Sequence, residues 1–415
     1  MARLLAQRSL SLISLLAAAI VISVALAPAT HAQTESVLYK FTKGLDGSNP
    51  LGNLAFDSAG NLYGAANGGP ASGTNAIFRL SPTSSGWKES VLHIFDGGKD
   101  GYTLGGVLLD SAGNVYGTTI TGGYLAGCSG NGCGTVYKLS PNSKGGWIKS
   151  ALYAFTGKQD SENPTSTLIL DVGGNLYGTT SHGGNLDYCD SYDCGVVFQI
   201  SPTSSGEWKQ SVLHVFTGSG DGGRPNDGLA FDAAGNLYGT TEFGGAYGYG
   251  TVYRLSPSAS GWTETVLYSF NGNGFEGGFP YSGPILDAAG NIYGITIGGG
   301  NGYGKLYELT PDGAQWAQNV LYSFTSGDTL ANPQLKFDAL GNVWATTETG
   351  GTGKGTVLKF SPPTWTETVI YNLPGGPDGK YPLGGVIFDA AGNIYGTAYE
   401  GGVDELYGLV FELKP

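Results

Sequence analysis

Seven acidic residues recur at one place in the repeat pattern of this chain. Asp46, Asp100, Asp160, Asp221, Glu276, Asp328 and Asp378 each stand in a Gly-rich loop that leads into a short apolar segment. Carboxylates gathered from seven loops offer hard oxygen ligands, so calcium or a cationic group is the chemistry they suggest. The competing reading is structural, because Asp before Gly caps a turn and a residue repeated in every copy suits a scaffold. His182 follows Thr179 and Thr180 and is the only histidine near these loops. A nucleophilic triad needs a base beside a nucleophile, and no nucleophile motif accompanies His182, so no catalytic residue is assigned. His93 and His214 replace the Tyr of a recurring Val-Leu-Tyr-x-Phe segment and read as packing positions. No metal-ligand cluster, phosphate loop or dinucleotide motif is present, and the many Gly-x-Gly runs are turn chemistry. Calcium is the one cofactor left open.

Tyrosines share the loops with the acids. Tyr102, Tyr124, Tyr188, Tyr247, Tyr249, Tyr281, Tyr303 and Tyr381 fall there. Tyr beside Asp and Asn suits carbohydrate, since the ring stacks on a flat apolar face and carboxylates accept hydroxyl donors. The alternative is that Gly-Tyr-Gly loops use Tyr to cover apolar ends. Four cysteines complete the set, Cys128 and Cys133 and then Cys189 and Cys194, each pair spaced Cys-x4-Cys. In an exported chain such even pairs imply local disulfides. A four-thiolate zinc site across the two loops is the competing reading.

What must position these residues is a tandem repeat. Asp232 to Gly239 reads Asp-Ala-Ala-Gly-Asn-Leu-Tyr-Gly, and its Gly-Asn core recurs at Gly60, Gly113, Gly174, Gly235, Gly290, Gly341 and Gly392. The spacings are 53, 61, 61, 55, 51 and 51 residues, and the two long ones carry the cysteine loops. An aspartate three residues before each glycine (Asp57, Asp110, Asp171, Asp232, Asp287, Asp338, Asp389) starts a turn that the glycine closes, so each copy is a β-hairpin. Around it lie a short apolar strand, a strand ending in Ser-Pro, and a Val-Leu-Tyr-x-Phe strand preceded in six copies by Trp87, Trp147, Trp208, Trp262, Trp316 or Trp365. Four strands per period make a propeller blade. The innermost strands fall at 52–57, 105–110, 167–171, 228–232, 283–287, 333–338 and 384–389. One spare strand at 35–41 precedes the first blade, and the last blade lacks its fourth. Pairing them closes the ring and removes its open edge. The expected fold is therefore all-β, a seven-bladed β-propeller of four antiparallel strands per blade spanning residues 33–415. The loops entering the innermost strands then share one face, where the seven acids are expected to ring the central channel.

Composition narrows the partners. Of 415 residues 73 are Gly, with 40% hydrophobic, 12% aromatic and 13% charged, which fits many short strands joined by tight turns. Net charge is −13, and −15 without Arg3 and Arg8, so nucleic acid and anionic lipid are not expected partners. Residues 1–32 read as a secretory signal peptide, with Arg3 and Arg8 before an apolar run from Leu10 to Leu26 and small residues to Ala32. No cysteine sits near the cleavage region and no sorting tail follows, so the expected product is a free, exported monomer without membrane attachment.

The motif Gly-Asn-(Leu/Ile)-Tyr-Gly-Thr-Thr, then Gly-Gly, Gly-Thr-Val-(Phe/Tyr), Leu-Ser-Pro and Trp-x-Glu-x-Val-Leu-Tyr-x-Phe resembles the GloVer tandem repeat of exported bacterial proteins across essentially the whole mature chain. The Asp-x-x-Gly-Asn turn is more distantly similar to NHL-type and streptogramin-lyase-like propellers. The resemblance implies an extracytoplasmic repeat protein and brings no assigned activity. Two functions are expected to compete. One is a non-enzymatic module binding carbohydrate or protein through its loop face; the other is a metal-assisted lyase or hydrolase. Reuse of the same loop chemistry in all seven copies favours the first, because an active site breaks a repeat at one blade.

Overall fold

A computed structural model describes residues 34–68, 75–103, 105–184, 194–225, 227–298, 302–330 and 334–414. Each repeat folds as one antiparallel sheet, four-stranded in five blades; in blades 3 and 5 a short extra strand, Glu162–Pro164 or Gly278–Pro280, also pairs with the second strand. In blade 4 the strands are Ala230–Phe231, Leu237–Thr241, Thr251–Ser258 and Gly261–Ser269, running from the axis outward in chain order. The innermost strands hold only two regular residues each, such as Ala55–Phe56 and Ile387–Phe388, inside the longer windows read from sequence.

The hairpin turn is built as its residues dictate. In blade 4 the Asp232 carboxylate accepts the Ala234 and Asn236 amides through Oδ1, both at 2.9 Å. Its Oδ2 accepts Asn236 Nδ2 at 2.6 Å and the Tyr238 hydroxyl at 3.1 Å. Gly235 takes φ 81°, the left-handed region open to glycine. A second glycine is fixed by packing. A Cβ on Gly239 would lie 2.3 Å from the Tyr253 hydroxyl, so the buried Tyr253 ring can lie across the second strand only where that strand has no side chain.

The ring closes as the sequence predicts. Thr34–Lys40 pairs antiparallel with Leu409–Lys414, with Glu35 opposite Leu413 and Val37 opposite Phe411. The N-terminal strand thereby becomes the fourth strand of blade 7 and leaves no open edge at the closure. Between blades, the sheets bury continuous aromatic and aliphatic seams; one joins Tyr177 of blade 3 to Leu229, Leu237 and Tyr253 of blade 4. Among the described residues no helix is long and apolar enough to cross a membrane.

Candidate functional site

The seven loop acids do not gather at the axis. Each lies just after a fourth strand and is held there. Asp46 accepts from the Tyr39 hydroxyl at 3.0 Å, the Thr42 amide at 2.8 Å and the Gly44 amide at 2.9 Å. Asp160 repeats this with Tyr153 at 2.7 Å and the Thr156 amide at 2.9 Å. His93 Nε2 lies 2.7 Å from Asp100, which also accepts Lys149 from the next blade. His214 Nε2 is 3.4 Å from Asp221, whose other contacts are Thr217 N and Oγ1. Glu276 takes the Tyr268 hydroxyl at 2.8 Å, Asp328 takes Thr325 Oγ1 at 2.8 Å, and Asp378 lies 3.7 Å from Lys40. Asp46, Asp160, Asp221 and Asp328 accept backbone amides of the turn that follows the outermost strand, and none of the seven acids lines the channel cavity. The physical reason is chain path: the loop hugs the outer strand for one turn before it crosses to the axis. His93 and His214 do what Tyr does in the sister blades, each with an edge-on ring contact to the following Phe95 or Phe216.

The predicted tyrosines are dispersed too. Tyr247 lines a groove on the rim, Tyr249 packs its ring 5.3 Å from Phe279, and Tyr303 is partly exposed. Tyr188 and Cys189 fall outside the described residues. Cys128 and Cys133 form a disulfide, and Cys194 is disulfide-bonded as well. Glu162 lies against the Cys128–Cys133 pair, but sulfurs joined to each other are not thiolate ligands, so this cluster does not suit a metal in its oxidised form.

The mouth of the channel holds a cavity of about 440 Å³ lined by Leu51, Asn53, Ile120, Asn163, Thr165, His182, Arg224, Asp227, Tyr281 and Gln334, among others. His182 and Tyr281 are the residues singled out in the sequence that reach it. His182 Nδ1 lies 2.7 Å from Ser181 Oγ. The other functional groups escaped notice in the sequence because each looks like loop filler. Asp227 occupies the place taken in the other repeats by Gly52, Gly105, Ser166, Ser282, Pro333 and Gly384, so it is the lone acid of its series. That departure from the repeat was the available signal.

Asp227 of repeat 4 is tied to repeats 5 and 6. Gln334 Nε2 donates to Oδ1 at 2.8 Å and Oδ2 at 2.7 Å, and the Gly283 amide donates to Oδ2 at 2.7 Å. Gln334 Oε1 in turn accepts Asn53 Nδ2 at 2.8 Å, and Asn53 Oδ1 accepts the Gly385 amide at 2.9 Å. A polar bridge thus crosses the channel. Burial pushes the Asp227 carboxyl above its ordinary range, and the Gly283, Gln334 and Gly228 donors only partly offset this. Above the bridge, Arg224 holds a left-handed φ of 57°, as Asn49, Asn163, Phe279 and Tyr381 hold left-handed values at the same place in other repeats. Its Nε lies 3.4 Å from buried Glu242, with the guanidinium 5.8 Å over the Phe243 ring. Burial, with Glu242 nearby, also raises the Tyr281 hydroxyl. Repeats 3 and 4 therefore supply the imidazole, guanidinium and carboxyl groups of His182, Arg224 and Asp227, while Leu51, Gly105, Gly106 and Ile120 give the opposite wall an apolar stretch.

Similarity to known structures concerns the fold. The chain matches the extracellular domain of a putative hybrid two-component system from B. thetaiotaomicron at 17% identity and TM-score 0.52, covering 92% of this chain and 41% of that one. It matches a putative 6-phosphogluconolactonase from Bacteroides uniformis at 12% identity and TM-score 0.50, covering 76% of this chain and 82% of that one. No curated protein sequence matches. The profile of the Gloeobacter/Verrucomicrobia repeat, however, matches residues 24–189 and 187–411, which spans all seven blades; the chain belongs to that repeat family.

Proposed function

We propose that this propeller is an exported, non-enzymatic binding module that takes a small polyhydroxylated ligand of the carbohydrate class at the mouth of its channel. The observation that carries this reading is one cavity of about 440 Å³ whose lining sets Arg224, His182, Asn163 and Tyr281 against aliphatic Leu51 and Ile120. Its size falls within the roughly 300–1,000 Å³ usual for small-ligand sites. One wall offers an arginine, a histidine, an asparagine and a phenol; the other is aliphatic, as a sugar ring with polar edges and apolar faces requires. The Cys128–Cys133 disulfide supports an oxidising, extracytoplasmic setting. The loop acids then serve as turn caps rather than ligands.

The competing reading is a metal-assisted lyase or hydrolase. It draws on Asp227, a carboxyl with a raised pKa beside His182 and Tyr281 in one cleft. A glycan-array screen of the secreted protein separates the two. Saturable binding that survives chelator, leaves the glycan intact and is lost in Arg224→Met and Tyr281→Ala supports the binding module. Chelator-sensitive turnover lost in Asp227→Asn supports the enzyme.

A further inference from the structure

The bridge of Asn53, Gln334 and Asp227 is a floor with space on both sides. Below it lies a second cavity of about 280 Å³, and the side chains shared by the two cavities are Asn53, Thr167, Asp227 and Gln334. Those four form the partition. Because the inner strands run from the loop face toward the Asp-x-x-Gly-Asn turns, the second chamber opens on the opposite face of the ring.

Its chemistry differs from that of the upper one. Two residues past the partition, the inner strands carry Ala55, Leu108, Ile169, Ala230, Ile285, Lys336 and Ile387, which face Tyr63, Tyr116, Tyr177, Tyr238, Tyr293, Trp344 and Tyr395 across the first ladder. Six of the seven are aliphatic. Ile169, Ile285, Lys336 and Ile387 line the chamber together with Leu229 and Val386. Lys336 is the single cation of the lining, and among the described residues its ammonium makes no hydrogen bond or salt bridge. An aliphatic wall with one ammonium is complementary to a molecule with one negative head and a short apolar body. Asp227 reaches this chamber only at its roof, where Gln334 and the Gly283 amide already occupy its oxygens.

We propose that the lower chamber binds a short aliphatic carboxylate, with its head on Lys336 and its chain against Ile169, Ile285 and Ile387. This site is separate from the one at the channel mouth, and neither depends on the other. The test is ligand-detected NMR titration of the full chain with hexanoate and with hexanol. Lys336→Ile is a suitable variant because three sister repeats carry isoleucine at that place. Saturable hexanoate binding is expected in the wild type and in Arg224→Met, at least tenfold weaker in Lys336→Ile and restored in Lys336→Arg, with hexanol binding alike in wild type and Lys336→Ile. Absence of saturable hexanoate binding, or equal affinity in Lys336→Ile, overturns the proposal. Loss of glycan binding in Arg224→Met with hexanoate binding intact leaves it standing, which keeps failure of one site distinct from failure of the other.

Discussion

Trp344 donates its indole Nε1 to Asp338 Oδ2 at 2.9 Å, at the place where a tyrosine hydroxyl binds the turn aspartate in the other six blades, as Tyr63 binds Asp57 and Tyr395 binds Asp389. The exchange follows from how neighbouring blades pack. The Tyr of one blade meets the Trp that opens the fourth strand of the next: Tyr63 with Trp147, Tyr177 with Trp262, Tyr395 with Trp87. Blade 6 faces blade 7, whose fourth strand is the N-terminal Thr34–Lys40 and has Gln33 where a Trp would stand. Blade 6 supplies the missing ring itself, packed edge-on against Phe388.

Trp344→Ala is therefore expected to cost about 3–5 kcal/mol, the usual range for removing a large buried aromatic. Trp344→Tyr keeps the hydrogen bond and loses only ring area, so it should fall between wild type and Ala in urea denaturation. If Trp344→Tyr is as stable as wild type, the compensation argument is wrong.

Deleting residues 34–41 removes the ladder to Leu409–Lys414 and the fully buried Phe41. The blade 7 sheet then ends at Leu409–Lys414, whose outer edge loses its partner and is exposed. A marked drop in melting temperature, with self-association on size-exclusion chromatography, is the expected result. A folded, monomeric deletion with an unchanged melt contradicts the closure.

Reduction of the Cys128–Cys133 bond frees a loop outside the blade ladders, so each short crosslink is expected to contribute only about 2 kcal/mol. The reduced protein should keep its β-sheet circular dichroism while the 128–133 loop becomes protease-sensitive. Peptide mapping should recover Cys128 joined to Cys133. A peptide joining Cys128 to Cys189 would refute the local pairing.

The blades were legible in the sequence because Asp-x-x-Gly-Asn, the Ser-Pro ends and the Val-Leu-Tyr-x-Phe strands each carry a local backbone requirement that does not depend on the rest of the chain. The site was not. Asp100 and Asp227 are both loop aspartates near glycine, yet one pairs with His93 and Lys149 just past an outer strand and the other lines the channel. What separates them is distance along the loop: four residues past Asp96 the chain still follows its outer strand, whereas Asp227 is three residues before Ala230. The acids present in every blade belong to the scaffold of the repeat. The axis is instead marked by departures: Asp227 where no sister blade carries an acid, Gln334 where four of six carry glycine, and Lys336 where all six are aliphatic.

Acid strength divides the carboxylates into two sets of opposite sign, which gives the last test. The turn aspartates Asp57, Asp110, Asp171, Asp232, Asp338 and Asp389 are each somewhat buried, which would raise them. Hydrogen bonds from the following Asn, the Tyr or Trp ring and backbone amides outweigh burial and hold them below the ordinary carboxylate range. Glu35, Glu89 and Glu264 lie across the blade gaps from the loop acids. Burial raises them first of all, and Asp378, Asp46 and Asp221 respectively push in the same direction. A lowered carboxyl binds fewer protons folded than unfolded, so its stabilisation is present above its ordinary pKa and is lost as pH falls through the folded value. A raised carboxyl does the reverse: its contribution is full below the ordinary glutamate value of 4.5 and is lost as pH rises through the folded value. Glu89→Gln should accordingly raise the melting temperature at pH 7 and leave it unchanged near pH 4, where the wild-type carboxyl is already neutral in both states. Asp232→Asn should lower it at pH 7, with the deficit shrinking as pH falls below the ordinary aspartate range. Melts of the two variants across pH 3 to 8 should therefore diverge from wild type in opposite directions at neutral pH and converge on it in acid; a neutral-pH loss of stability in Glu89→Gln would show that Glu89 is held charged by a partner and that the gap between blades 1 and 7 is not strained by paired carboxylates.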